Sequence, residues 1–327
     1  MPSLAQIGAN VNRLAPTPLV QYVVRNYMQN NQLFNLLPFV GMGAFLGSGR
    51  GLQFNATYTD EPTTAVNRSI GEEPDPDNSD LKQVTLTLKA ISKVFNTDRI
   101  LDRAFSAGGG TLETWREFQT KQCTDAVINK FTYDFINGDA TSNVKEFDGL
   151  MKYFESHAGQ IDNDALEIDV LNPTNALQVE QFLNNSISKV KGGPNLIVTT
   201  RLGGQSFLRA LEGHRNRGIE TIDLNGVKYD KYMGIYVIGL EDKMFKPAVL
   251  EKGIPFIFMR LDEMSDGIRV VVPATGPVVD VVIPGVGGDS NGTFTKRGGV
   301  EIVSVPVFVD PYVASMCYIK QDASKKS

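Results

Sequence analysis

Histidine, cysteine and tryptophan are nearly missing from this chain: its 327 residues include 2 His, 2 Cys and 1 Trp. His157 and His214 are thus the whole supply of imidazole for general-base chemistry. Gly204-Gln205-Ser206 has the first half of a hydrolase nucleophile elbow. Leu208, however, stands where the second glycine belongs, and the serine falls inside a helical pattern rather than on a sharp strand-to-helix turn. His214 sits in a polar run, Glu212-Gly213-His214-Arg215, which reads as a loop. Neither Cys123 nor Cys317 has a cysteine or histidine partner at metal-ligand spacing, so the expectation is two free thiols and no metal site. Catalytic residues, cofactor-binding residues and cofactors are all expected to be none.

Long apolar runs are missing too. No stretch approaches the roughly 18–20 residues that cross a bilayer, and the start, Met1-Pro2-Ser3-Leu4-Ala5-Gln6, lacks the basic and apolar regions of a signal peptide. The expectation is a protein with no membrane association that stays in the cytoplasm of the cell that makes it. A formal net charge of -5 argues against tight nucleic-acid binding by the bulk surface. Glycine clusters at positions 41–51, but without dinucleotide spacing or the Lys-Ser/Thr of a phosphate loop, and no helix pattern follows. The cluster reads as a hinge. Asp75, Asp77 and Ser79 echo a calcium loop, yet Asp80 takes the place of its obligatory glycine, and calcium is rejected.

With 42% hydrophobic and 21% charged residues, what remains has globular composition. The chain is organised around residues 111–150. Leu112, Trp115, Phe118, Cys123, Ala126, Val127, Phe131 and Phe135 recur at steps that hold one face of a long helix. Glu113, Arg116, Glu117, Lys121, Asp125, Lys130 and Asp134 take most of the rest. Asn137-Gly138 supplies a stop through the left-handed conformation both tolerate. About 26 residues make a rod of roughly 40 Å. Phe147-Asp148-Gly149-Leu150 follows a polar gap.

Upstream, Thr17-Pro18 opens an amphipathic helix carrying Leu19, Val23 and Tyr27, and an apolar run, 33–39, surrounds Pro38. Residues 1–50 therefore read as an arm that needs a partner surface. From 51 to 95 the period becomes two: Leu52, Phe54, Ala56 and Tyr58, then Val84, Leu86 and Leu88, outline two half-buried strands. The connection between them, 60–80, carries seven acidic residues against Arg68 and cannot form a core of its own. Further on, Asn172-Pro173 opens a helix with Val179, Phe182, Leu183 and Ile187, and 195–200 reads as a buried strand. A second helix is expected over 202–211, then strands at 255–261, 268–272, 278–283, 300–309 and 314–319. Residues 322–327 read as a solvated tail.

The end of the long helix (Phe135-Ile136-Asn137-Gly138-Asp139-Ala140), followed by Phe147-Asp148-Gly149-Leu150, resembles the spine helix of the major capsid proteins of tailed bacteriophages. The order of segments on both sides is similar to that family over nearly the whole chain, with a departure at Tyr236, where the family usually has proline. The resemblance implies an α+β fold of the Hong Kong 97 type, shared with encapsulins. Its parts would be an N-terminal arm (1–50), an extended β-hairpin loop (51–95), a peripheral domain with the spine helix (96–165), an axial domain (166–294) and return strands of the peripheral domain (295–327).

The implied function is a virion structural protein, not an enzyme. It would self-assemble in the host bacterial cytoplasm into pentamers and hexamers of an icosahedral head around double-stranded DNA, with no sequence-specific binding. A separate scaffolding protein and a portal are the implied partners, because the arm pattern begins almost at Met1. The alternatives are an encapsulin-type shell or, in another class, a soluble enzyme without recognisable motif. Residues 51–81 contain no lysine, so the lysine–asparagine crosslinking of some family members is not expected through this loop. The acidic connection is expected to pair with basic residues of a neighbour such as Arg215 and Arg217.

Overall fold

The computed structural model describes residues 31–42, 53–59, 81–98, 112–168, 175–214, 220–224, 227–263, 267–273, 279–282, 295–308 and 310–321; the side chains of 54, 55, 57–59, 81–83, 97–98, 112–118, 210, 212–214, 224, 227, 279–282, 295–297 and 321 lie outside that description. The first element is a short helix, α1 (Gln32–Leu36), capped by Asn31, whose side-chain oxygen accepts from the Phe34 amide at 3.1 Å. Strand β1 (Phe39–Gly41) follows Pro38. Leu33, Phe34, Leu36, Leu37 and Phe39 are all buried, and the Phe34 ring meets Phe131 edge-on at 5.5 Å. Within the stretch read as an arm, 1–50, this corrects the expectation for residues 33–39 that a partner surface must cover them. The run at 33–39 needs no neighbour, because the long helix of its own subunit covers it and removes its apolar area from water. The helix expected from Thr17 and the glycine-rich hinge at 43–51 lie outside the described residues.

Strands β2 (Gln53–Thr59) and β3 (Leu81–Thr87) form an antiparallel ribbon, in register from Gln53 opposite Thr87 to Thr59 opposite Leu81. The acidic connection, 60–80, lies outside the described residues. The period-two pattern continues to 95, but the ribbon does not. At buried Leu88 the chain changes partner, and β4 (Lys89–Asp98) pairs antiparallel with β13 (Thr295–Val307).

The long helix α2 spans Leu112–Asn137, 26 residues. Cys123, Val127, Phe131 and Phe135 are buried as their spacing requires, but Ala126 is exposed. Toward its C-terminal end the buried face widens to include Ile128, Thr132, Asp134, Ile136 and Asn137. Thr124 and Thr132 satisfy their hydroxyls by donating to the carbonyls of Thr120 (2.8 Å) and Ile128 (2.9 Å) one turn back. Asp134, read as part of the solvated face, is buried because α2 is wrapped on several sides here.

The chain then forms α3 (Leu150–Ser156), β5 (Ile161–Ile168), α4 (Ala176–Ser188), β6 (Leu196–Thr200), α5 (Ser206–His214), β7 (Glu220–Leu224), β8 (Val227–Tyr232) and β9 (Ile235–Leu240). After these come α6 (Pro247–Lys252), β10 (Ile254–Met259), β11 (Arg269–Val272), β12 (Val279–Val282), β13 and β14 (Ala314–Gln321). Residues 202–205, expected as the start of a helix, belong instead to a π-helical turn (Arg201–Gln205) before α5. There the Thr200 hydroxyl accepts from the Gly204 amide at 3.1 Å.

One sheet has 5 strands, β1, β11, β13 and β12 in that order with β4 also on β13; the other has 7, in the order β5-β14-β10-β6-β9-β8-β7. These sheets cut across the boundaries expected at 166–294 and 295–327. Strands β11 and β12 join β13 beside the long helix, whereas β14 enters the larger sheet between β10 and β5. Burial explains the place of β14: each residue from Ala314 to Ile319 is buried, which suits a central strand covered on both faces.

Alternation within the larger sheet separates two packed layers. Leu196, Val198, Ile257, Met259, Met316 and Tyr318 face the core shared with α1 and α2. Ile197, Phe256, Phe258, Cys317 and Ile319 face a second core under α4 and α5. Cys123 and Cys317 are both buried free thiols, and burial pushes the Cys317 thiol up to about 12.

Candidate interaction surface

The end of the long helix is closed by a crossing of two backbone segments. The Gly138 amide donates to the Asp134 carbonyl at 2.7 Å, and the Gly149 amide donates to the Gly138 carbonyl at 2.9 Å. Neither glycine has positive φ, nor does Asn137, which corrects the expectation of a left-handed stop. These glycines are required for space. A Cβ on Gly138 would lie 2.3 Å from the Phe147 carbonyl oxygen, and one on Gly149 would lie 2.4 Å from that of Asp134. Asn137 ties the same point to the larger sheet's connections: its side-chain amide donates to the Met244 carbonyl at 2.7 Å.

Side-chain hydrogen bonds shape the turn between the glycines. The Asp139 carboxylate accepts from the Ser142 hydroxyl at 2.7 Å and the Thr141 amide at 2.9 Å, and these bonds, the serine's first, hold it well below the usual carboxylate range. Asp148 accepts from the Ala140 amide at 2.9 Å. Lys130 reaches from α2 to both Asp134 (2.6 Å) and Glu146 (3.0 Å). Burial raises Asp134 more than Lys130 lowers it. For Glu146 burial also acts upward, but Lys130 and Asn143 outweigh it and the carboxyl sits below its ordinary value.

The two carboxylates therefore have opposite linkage. Asp134 favours the folded state below its unfolded pKa and loses that contribution as pH rises; Glu146 contributes above the unfolded glutamate value and loses its contribution as pH falls. Glu146→Gln is expected to cost about 1 kcal/mol or less at pH 7. The difference from wild type should vanish in chemical denaturation well below pH ~4.3, the unpaired glutamate value.

Where the ribbon leaves the body there is a groove of about 390 Å³. Residues 84–87 of β3 line it on one side; Lys152, Tyr153, Ser156 and His157 of the α3 region, Asp148, and Val305, Pro306 and Phe308 line it elsewhere. The walls are held by ring packing and hydrogen bonds. Tyr153 packs its ring on Phe308 at 5.9 Å and donates its hydroxyl to the Pro311 carbonyl at 2.7 Å, and burial pushes its pKa strongly up. The Lys89 ammonium crosses from the ribbon's base to the Val144 carbonyl at 2.7 Å.

Ser206, the serine of the elbow-like motif, is exposed on the first turn of α5. His157 closes α3, with Nδ1 against the Tyr153 carbonyl at 2.9 Å. The His214 side chain, Arg215, Arg217 and the calcium-like motif lie outside the described residues. Sequence reading did not find the groove, although the Leu88 change of partner that creates it lies within the strand pattern.

Neither a protein-family model nor a curated relative matches the sequence. Solved structures do match. The chain is similar to the encapsulin of the holo-SrpI complex from Synechococcus elongatus PCC 7942, with 13% identity, 88% of this chain and 86% of that one covered, and a TM-score of 0.57. It is also similar to a capsid chain of the native GTA particle (11% identity, 88% and 89% covered, TM-score 0.54) and to a chain of Mycobacterium phage Bobi (12%, 90% and 91%, 0.53). With matches of this extent, the chain has the α+β Hong Kong 97-type fold found in phage capsid and encapsulin shell proteins.

Proposed function

We propose that this chain is the major capsid protein of a tailed bacteriophage, a structural shell subunit rather than an enzyme. Many copies associate as pentamers and hexamers into an icosahedral head that encloses double-stranded DNA. The observation that carries this reading is the β2–β3 ribbon. Its strands pair only with each other among the described residues; Ala56 and Leu86 touch the subunit's own core, but a two-stranded ribbon with no further strand beside it is marginal in water. Such an element is stable when a neighbouring copy covers it, and permanent assemblies of this kind bury thousands of Å² per subunit. The similarity to capsid chains supports the same reading. Assembly would take place in the bacterial cytoplasm with a separate scaffolding protein and a portal.

The similarity to an encapsulin at a TM-score of 0.57 favours a second reading, a shell around protein cargo. The contents decide between them. Particles recovered from infected cells are expected to release nuclease-resistant double-stranded DNA on denaturation. Particles filled with one cargo protein and free of protected DNA would favour the second reading.

A further inference from the structure

Strand β5 keeps its place in the larger sheet by weak means. It lies at the sheet's edge and pairs with β14 alone among the described residues. The pairing is parallel, the less stable ladder type per residue. It is also broken. Cys317 lies opposite Asp162 and Ile319 opposite Leu166, so a step of two along β14 spans a step of four along β5. The surplus is a bulge over 163–165 that divides the ladder into two short pieces. Of the 8 side chains of β5 only Ile168 is buried, while Ile161, Ala165 and Leu166 are half-buried.

Charge supplies what apolar contact does not. Strand β5 carries Asp162, Asp164 and Glu167 and no basic residue, and three neighbouring elements each present a lysine to it. Lys189, just after α4, donates to Asp162 at 2.5 Å, and Ser186 of α4 donates to the other oxygen of that carboxylate at 2.9 Å. Lys252, the last residue of α6, donates to Asn163 at 3.2 Å. Lys320 of β14 meets Glu167 at 3.3 Å. None of these charged groups is buried, so dissolved salt reaches all of them. The strand they cover has the opposite character. Residues Ala314 to Ile319 of β14 are buried, and Cys317, opposite Asp162, is 0% exposed. Uncovered, such an edge is a row of backbone donors and acceptors on an apolar strand, open to pairing with another chain.

We propose that β5 is a displaceable strap over the edge of β14, latched by these lysines and opened when salt screens their charge. Local opening of an edge element costs less than global unfolding, and here the divided ladder and the shallow apolar contact lower the cost further. The strap closes one edge of the larger sheet at low ionic strength and uncovers it at high ionic strength. The inference stands on the contacts of a single subunit and does not depend on the shell reading above.

The Cys317 thiol reports the opening, with Cys123, buried on α2, as the internal control. Full-length protein is pulsed with N-ethylmaleimide under native conditions, and the two cysteine peptides are compared by mass spectrometry. Raising sodium chloride from roughly 0.01 M to roughly 1 M shortens the Debye length from about 30 Å to about 3 Å. Labelling of Cys317 should then rise about fivefold, the combined effect of several individually weak exposed pairs, while Cys123 stays slow. Lys189→Met should raise Cys317 labelling at low salt and flatten its salt dependence, and Lys189→Arg, which keeps the charge, should restore both. Amides of 161–168 should exchange faster than those of β10 in the same sheet. Labelling of Cys317 that stays as slow as that of Cys123 at every salt concentration, or that is unchanged in Lys189→Met, would overturn the strap and leave the shell reading intact.

Discussion

Gly149→Ala is expected to destabilise the fold strongly. The added methyl carbon would sit 2.4 Å from the Asp134 carbonyl oxygen, 2.8 Å from the Gly138 nitrogen and 2.9 Å from the Phe135 carbonyl oxygen. All three are backbone atoms of the helix end, so no side chain can swing aside to make room. Relief requires the turn to lift from α2, which breaks the Gly149–Gly138 hydrogen bond and loosens Phe147 and Leu150, both buried. Overpacking with loss of a buried hydrogen bond puts the cost at about 3 kcal/mol or more. Denaturant titration of the variant against wild type measures it. A change below about 1 kcal/mol, the ordinary size for a tolerated substitution, would mean that the crossing relaxes easily and does not lock the helix end.

Replacing residues 60–80 with a short Gly-Ser linker is expected to leave folding intact and abolish assembly. The last ribbon pair is Thr59 opposite Leu81, and the replaced sequence is too rich in acidic residues and proline to form a core of its own. The thermal unfolding transition of the subunit should therefore stay close to that of wild type. If the ribbon lies on a neighbour, shortening its reach removes intersubunit area, and microscopy should show no closed shells or only irregular ones. A variant that builds normal shells would show that the connection contributes little. One that cannot fold would mark these residues as a core element.

How much of this was legible in the sequence varied with the kind of signal. The long helix was readable because Cys123, Val127, Phe131 and Phe135 keep one face. The motif 147–150 was readable as a pattern, but its cause, two backbones crossing at Gly138 and Gly149, needed coordinates. Burial of Asp134 was not readable, since a carboxylate at a solvated helix position and one wrapped by a later turn have the same local sequence. Residues 33–39 were misassigned because an apolar run near a chain end gives no sign of which surface covers it, and Phe131 lies some hundred positions away. Strand β5 escaped because Asp162, Asn163, Asp164 and Glu167 mask its alternation; it lies at the sheet's edge, where one side is free to be polar. The groove at the ribbon's base was hidden for a related reason: the alternation through Val84, Leu86 and Leu88 continues into β4, while the partner strand changes.

Electron microscopy of the purified full-length protein is the most direct measurement of whether this chain builds a shell. Closed particles of uniform diameter, with five-fold vertices resolved on averaging, are the expected result. Monodisperse monomers or small oligomers, under conditions where the protein is folded and concentrated and a scaffolding partner has been co-expressed, would contradict the assignment.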